Sequence, residues 1–406
     1  MLYMGEVEEL RGPVEAAIAA ARNESDVVVR AVWERWCIAQ FAGSVRKVRR
    51  RGQGKLWLRA GTSRWLTGEL STDAALALAE QLDHDGGGLS DEPPQRTTVD
   101  RSLEPIPEDD QEALARGMAT LGIATDNPSA RVWLHRQELL MRSDGTEVSQ
   151  SISTSWDEIY RFGGSLVGSV DGHPVAIPPP STSDATIGHP PIIVADPAAV
   201  LSLAAAAVQE LRTSGAAPPR LGRQSIAAPQ ISIQRDPEVL ASLPAFDAEG
   251  VPCRFQPLVS RGVAVGLLSD RSGAHIHELS RSSGSLLDFN DRLQVGIDAL
   301  TVTGDDDGPL SLAELAGDVV DGVLLRGPVQ VVSTGEGARI RGRASVIRNG
   351  EISKGVGPLE LPDVSVLLKR VQAVTQERQL AAVLEGGSRP VVGNCPAVLI
   401  HLPAAR

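Results

Sequence analysis

The residues best suited to chemistry cluster in one stretch. His275 and His277 are two apart, so on a strand both imidazoles share a face. Such a pair can hold a divalent metal when a third ligand joins it, but Glu278, next in sequence, points the other way. On the residues alone the pair reads as part of a polar face. Asp270 and Arg271 stand just before it and form a carboxylate–guanidinium pair suited to touching a substrate. As a surface pair it would add little to stability.

Other reactive types are spaced wrongly for the common sites. Cys37, Cys253 and Cys395 are far apart and odd in number, with no C-x-x-C, which argues against a disulfide framework or a zinc ribbon. Cys395, beside Pro396, reads as a small hydrophobe in the last strand. Asp305-Asp306-Asp307-Gly308 lacks the ligand spacing and terminal Glu of an EF-hand and reads as a hairpin tip. There is no G-x-S-x-G. Gly335-x-Gly337 has no third Gly at dinucleotide-binding spacing, and strands flank it.

The stretch that must position these groups is 246–277, FDAEGVPCRFQPLVSRGVAVGLLSDRSGAHIH. Asp247, Glu249 and Gly250 make a turn, because Gly accepts positive φ and Asp bonds its own backbone. Phe255, Pro257 and Val259 alternate with Gln256 and Ser260 on a strand. Arg261-Gly262 is the bend, and residues 263–268 form a second apolar strand. Physics alone predicts a β-hairpin in a larger antiparallel sheet.

At 406 residues the chain has length for two domains with sizeable cores. Apolar residues make up 42 % and aromatics only 3 %, so Ala, Val, Leu and Gly must fill the interior. Net charge is −12, whereas a duplex-DNA binder presents a basic face. The one basic run, 46–55, is broken by Val48, Gly52 and Gly54 and reads as an exposed hairpin, so nucleic acid is not expected as a partner. The apolar run 203–208 is too short to span a bilayer. With no leader peptide recognised, the chain is expected in the cytoplasm and off the membrane.

Read in order, residues 6–22 are helical, with Pro13 suited to a first turn. Residues 26–41, 45–48 and 55–59 read as strands, and 74–82 as a helix capped by Ser71 or Thr72. Residues 84–110 read as a long loop, 108–121 as a helix, 130–141 and 147–155 as a hairpin, and 160–170 as a further strand. A Pro-rich linker, 179–191, follows. The expected division is therefore an N-terminal α+β domain, 1–178, the linker, and a largely antiparallel β-rich C-terminal domain, 192–406. The latter opens on a helix, 197–212, and has other helical pieces at 310–316 and 364–374. The overall class is α+β.

Three pieces resemble the TldD/PmbA (TldD/TldE) metallopeptidase family, whose members are also called modulators of DNA gyrase. The first is Phe246-Asp247-x-Glu249-Gly250-x-Pro252 with the following strand, turn and Leu268-x-Asp270-Arg271. The second runs from Thr334-Gly335-Glu336-Gly337-Ala338-Arg339 to Asn349-Gly350-Glu351-Ile352. The third is RQELLMRSDGTEVSQSISTS, residues 136–155. They lie in the family's order and span most of the chain.

The resemblance implies that the catalytic subunit carries H-E-x-x-x-H on the helix opening the second domain. There, two His would bind zinc and the Glu would act as general base on the metal-bound water. The matching helix here places Ala204, Ala205 and Gln209 at those positions, and no His lies on it. Val200, Leu203, Ala204, Ala207, Val208 and Leu211 instead make an apolar stripe. The family's C-terminal Cys ligand is also not recognisable in Gly386-Gly387-Ser388-Arg389-Pro390.

The expectation is a TldE-like subunit with no catalytic or metal-binding residues of its own. Zinc would sit in an H-E-x-x-x-H partner, and Asp270, Arg271, His275 and His277 would lie at a cleft for a peptide or amide substrate. Arg greatly outnumbers Lys, as in GC-rich genomes, and this extends the expectation to maturation of a peptide-like natural product. An autonomous hydrolase with an unrecognised site and a non-enzymatic binding or regulatory protein are the alternatives.

Overall fold

The structure, a computed structural model, describes residues 4–21, 27–60, 65–82, 96–102, 104–121, 127–161, 164–175, 190–209, 211–212, 221–269, 286–289, 292–305, 307–334, 337–353, 357–362, 364–384 and 390–402. It is α+β with mostly antiparallel strands, as the sequence predicts. Contacts divide the chain into two compact units. One is Met1–Glu158 with Leu240–Cys253 and Ser269–Val295; the other is Ile159–Val239 with Arg254–Leu268 and Gly296–Arg406.

The first unit begins with α1 (Met4–Ala20), β1 (Val27–Ala42), β2 (Val45–Ala60), β3 (Leu66–Glu69) and α2 (Thr72–Ala79). It continues with β4 (Arg96–Ser102), α3 (Asp110–Leu121), β5 (Ser129–Arg142) and β6 (Glu147–Arg161). Its strands order as β3-β2-β1-β5-β6, with β4 parallel to β6. Alternation along β1 explains the core. Val27, Val29 and Ala31 meet Leu56, Leu58 and Leu139 beneath Leu10 and Val14 of α1 and Ala75 and Leu78 of α2. Further along, Cys37, Ala39 and Trp133 meet Ala113 of α3.

Several elements differ from expectation for physical reasons. Pro13 lies inside α1, not in its first turn, so the helix forgoes one backbone bond there. The basic run lies in an exposed hairpin as expected, but as part of one continuous strand, β2, paired with β1, where 45–48 and 55–59 read as separate strands. Gly54 is required because a Cβ would stand 2.8 Å from Trp33 and Leu70. β4, with Thr97, Thr98 and Val99, lies within the expected loop, where its acidic, Pro-rich flanks conceal it.

The second unit contains β7 (Gly164–Val170), β8 (His173–Pro174), β9 (Ile192–Ala195), α4 (Pro197–Gln209), β10 (Ser232–Arg235), β11 (Gln256–Ser260) and β12 (Val263–Ala264). A small hairpin, β13 (Leu286–Phe289) with β14 (Arg292–Val295), returns to the first unit. The second unit resumes with β15 (Ala299–Thr303), α5 (Leu312–Gly317), β16 (Asp321–Thr334), β17 (Gly337–Arg348), β18 (Glu351–Ile352), β19 (Gly357–Leu361), α6 (Val364–Lys369), β20 (Val371–Leu384) and β21 (Pro390–His401). Its sheet orders as β12-β11-β10-β15-β21-β9-β16-β17-β18, with β20 on β21 and β19 on β17. Among its described pairings, β9–β16 and β15–β21 are parallel. α4 packs on β16, β20 and β21.

The expected hairpin is present, but its second strand is short. Arg261 and Gly262 bend at φ 47° and 77°, and pairing ends at Ala264. Beyond it the amides of Val265 and Gly266 both converge on the Leu258 carbonyl, which breaks the ladder. The helix expected over 364–374 stops at Lys369, because β-branched Val371 and Val374 enter a strand paired with β21.

Candidate functional site

α4 stands where the resemblance places a zinc helix. β9 delivers the chain to Asp196, whose carboxylate caps the helix. One oxygen accepts from the Ala199 amide at 2.9 Å and the other from the Gly327 amide at 2.8 Å. Burial pushes this carboxyl above its ordinary range, outweighing the pull of those amides and of Arg326. Pro197 occupies the first helical position. Every residue from Pro197 to Ala205 is buried, as are Ala207 and Val208. Ser202, within this run, donates to the Ala198 carbonyl and accepts from the Val329 amide.

Ala204 and Ala205 are completely inaccessible, and Gln209 is half-buried at the end of the helix. Methyl groups and one carboxamide do not form a zinc donor set, so α4 does not fit the metal. Among the described residues no group of three His, Cys, Asp or Glu could hold one. Asp270, Arg271, His275 and His277 lie outside the described residues. Cys395 is a fully buried core residue whose thiol is pushed up by burial, as its apolar surroundings dictate. Cys37 is likewise buried and its thiol raised, while Cys253 is half-buried.

The polar groups that the structure does bring together lie elsewhere, on the face of the first unit's sheet opposite α1 and α2. Arg30, Glu34, Arg136, Glu138 and Gln150 are all buried there. Glu138 receives Arg30 at 3.0 Å, Arg136, and the Gln150 amide at 2.9 Å. Glu34 receives Arg136 and Gln53, each at 3.0 Å. The Arg30 guanidinium stacks 4.8 Å from the Trp57 ring centroid. Each charge is matched, as burial demands.

The family-like segment 246–252 docks on this face. The Gln150 carboxamide accepts from the Ala245 and Phe246 amides and donates to the Phe246 carbonyl at 3.1 Å. The Asp247 carboxylate accepts from the Glu249 and Val251 amides at 2.9 and 3.0 Å, closing the turn. Glu249, fully buried, ion-pairs with Arg59, which is 1 % exposed. Gly250 has φ 75°, and a Cβ there would stand 2.9 Å from Leu140. The motif thus clasps its own unit: each polar group in it has a structural partner. Sequence reasoning found the turn but missed the charged face, although Arg30-x-x-x-Glu34 and Arg136-x-Glu138 keep a period of two inside otherwise apolar strands.

His135 is also buried on this sheet, with its Nδ1 2.9 Å from the Ser153 hydroxyl. Burial, and then the neighbouring Arg35, lower its pKa to about 4 against a weaker opposing pull from Asp100. It is neutral at pH 7. No described helix is long and apolar enough to cross a membrane.

Residues 194–402, more than half of the chain, match the model of the PmbA/TldA metallopeptidase C-terminal domain. No curated protein matches the chain in sequence. In fold it is similar to TldE from Thermococcus kodakarensis, at TM-score 0.70 and 16 % identity over 96 % of this chain and 98 % of that one. It is also similar to a candidate DNA gyrase modulator from Thermotoga maritima, at TM-score 0.67 and 14 % identity over 97 % and 99 % of the two chains. A third match, from Bacteroides thetaiotaomicron and described in the same terms, has TM-score 0.62 and 14 % identity over 99 % and 100 %. The matched domain and the shared fold together place this protein in the TldD/PmbA metallopeptidase family.

Proposed function

We propose that the chain is a TldE-like subunit without its own catalytic centre, acting with a separate H-E-x-x-x-H chain that supplies zinc for hydrolysis of a peptide or amide. One observation carries this: the helix at the metal position is kept, capped and buried, yet Ala204, Ala205 and Gln209 offer no metal ligand or general base. Its Ala face is packing surface. The finer extension is that the pair matures a peptide-like natural product in the cytoplasm.

Co-expression with an H-E-x-x-x-H protein encoded beside this chain tests the proposal. The two are expected to co-elute, and only the pair should hydrolyse amides. Separate elution at micromolar concentration, or zinc-dependent turnover by this chain alone, would overturn it.

A further inference from the structure

The β16–β17 ribbon carries arginines in two different settings. Arg341 holds Glu360 at 2.9 Å and Arg348 holds Asp321 at 2.7 Å, both near or above half exposure. Arg326 and Arg343 instead oppose each other directly across the antiparallel ladder. Directly opposed residues project from the same face, with Cβ atoms about 5 Å apart, and like charges in that position are destabilising. Both side chains are partly buried, which weakens the screening that would separate them in water.

Neither has a carboxylate partner among the described residues. On its other side Arg343 is paired in register with Pro358, two residues along the strand from the Glu360 that serves Arg341. Asp196 is the acid nearest in effect to Arg326, but its two oxygens accept from Ala199 and Gly327 and make no ion pair with it. Fully buried Ser345 accepts the Arg326 Nε–H at 3.2 Å, which holds the guanidinium in place, and its terminal nitrogens make no hydrogen bond among the described residues. The register shift just after Arg326 bends the ribbon here.

We propose that Arg326 and Arg343 form a twin-guanidinium site for a carboxylate, and that the carboxylate belongs to a peptide. Two guanidinium forks can each give a carboxylate a bidentate or shared pair of charge-assisted bonds, which turns the repulsion into attraction. Only the word peptide rests on the proposed function. The site itself lies on one ribbon of one chain, so binding without catalysis is the appropriate test.

Calorimetric titration of the whole chain with N-acetyl-Ala-Ala, its C-terminal amide, N-acetyl-Asp amide and inorganic phosphate reads it directly. One or both carboxylate probes should bind at least tenfold more tightly than the uncharged amide, and the better one identifies a terminal or a side-chain source. Arg326→Gln and Arg343→Gln should each weaken that binding tenfold or more, while Arg341→Gln, whose charge Glu360 already matches, should leave it within twofold. Thermal melts of all three variants establish that they fold. The assignment is overturned by equal binding of acid and amide, by tighter binding of phosphate, or by an equal loss in Arg341→Gln. Loss of the pairing with an H-E-x-x-x-H chain would leave this result untouched, so the two proposals fail separately.

Discussion

α4 and the charged sheet face of the first unit are both buried, and they are built in opposite ways. α4 is apolar along almost its whole length and keeps one carboxylate, at its cap. The sheet face keeps Arg30, Glu34, Arg59, Arg136, Glu138 and Glu249 out of water and matches each with a partner. Zinc-peptidase chemistry would need ionisable groups on the former, whereas the latter has them paired with one another and with the docked segment. In this chain they fix where a segment docks, since bonds from Gln150 and Arg59 accept 245–249 in one register only.

The largest expected effect breaks the ionic side of that comparison. Glu249→Ala leaves the Arg59 guanidinium buried with no carboxylate, at a cost of roughly 3–5 kcal/mol. Urea denaturation should show it, and Leu240–Cys253 should lose protection in hydrogen exchange. A loss under about 1 kcal/mol, typical of a surface pair, would mean that this face is solvated and the contrast with α4 is false.

His135 sharpens the same side through pH. Its folded pKa, about 4, lies below the ordinary 6.5, so the unfolded chain binds more protons between the two values. Its contribution is fully present above pH 6.5 and is lost as pH falls through 4, amounting to roughly 3 kcal/mol. Most of the loss precedes the range of ordinary carboxylates, so denaturation at pH 7 and pH 5, compared between the parent and a His135 variant, isolates it. His135→Gln should flatten that part of the profile. A variant as pH-sensitive as the parent between these values would assign the effect to another group.

On the apolar side, Ala204→Leu and Ala205→Leu should each cost roughly 1–3 kcal/mol by overpacking, while Ala→Ser should cost less. Restoring the motif by Ala204→His, Ala205→Glu and Gln209→His should yield neither bound zinc nor turnover in this chain alone. Metal analysis showing near-stoichiometric zinc with amide hydrolysis would make α4 an open, preorganised site and remove the contrast altogether.

How much of this was legible in the sequence follows from the length scale of each signal. The apolar stripe of α4, the Asp247–Gly250 turn and the β5–β6 hairpin are local patterns, and all three are present. That α4 carries no His could be read because it is a matter of side-chain type. The Arg59–Glu249 pair could not, because its partners are 190 residues apart and nothing local in either strand or turn indicates the match. The strand over Arg96–Ser102 was hidden for a related reason: it owes its place to pairing with β6 and not to its own flanks. The end of α6 at Lys369 shows pairing overriding a helical pattern in the same way.

The smallest expected effect concerns the one carboxylate on the apolar side. Burial raises the Asp196 carboxyl above its ordinary value, so in the folded chain it holds a proton to higher pH than in the unfolded chain. Stability from this group is fully present below the ordinary value of 3.8 and is lost as pH rises through the folded one, the reverse of His135. Asp196→Asn keeps an oxygen for the Ala199 amide but turns an N–H donor toward the Gly327 amide, costing about 1 kcal/mol for the lost bond. In return it removes the titration. Hydrogen exchange of the α4 amides, corrected for intrinsic rates, should show wild-type protection falling between pH 4 and pH 7 while the variant stays level. Wild-type protection that rises over this range would mean that the cap acts as a stabilising carboxylate, and that α4, like the sheet face, draws net stability from a buried charge.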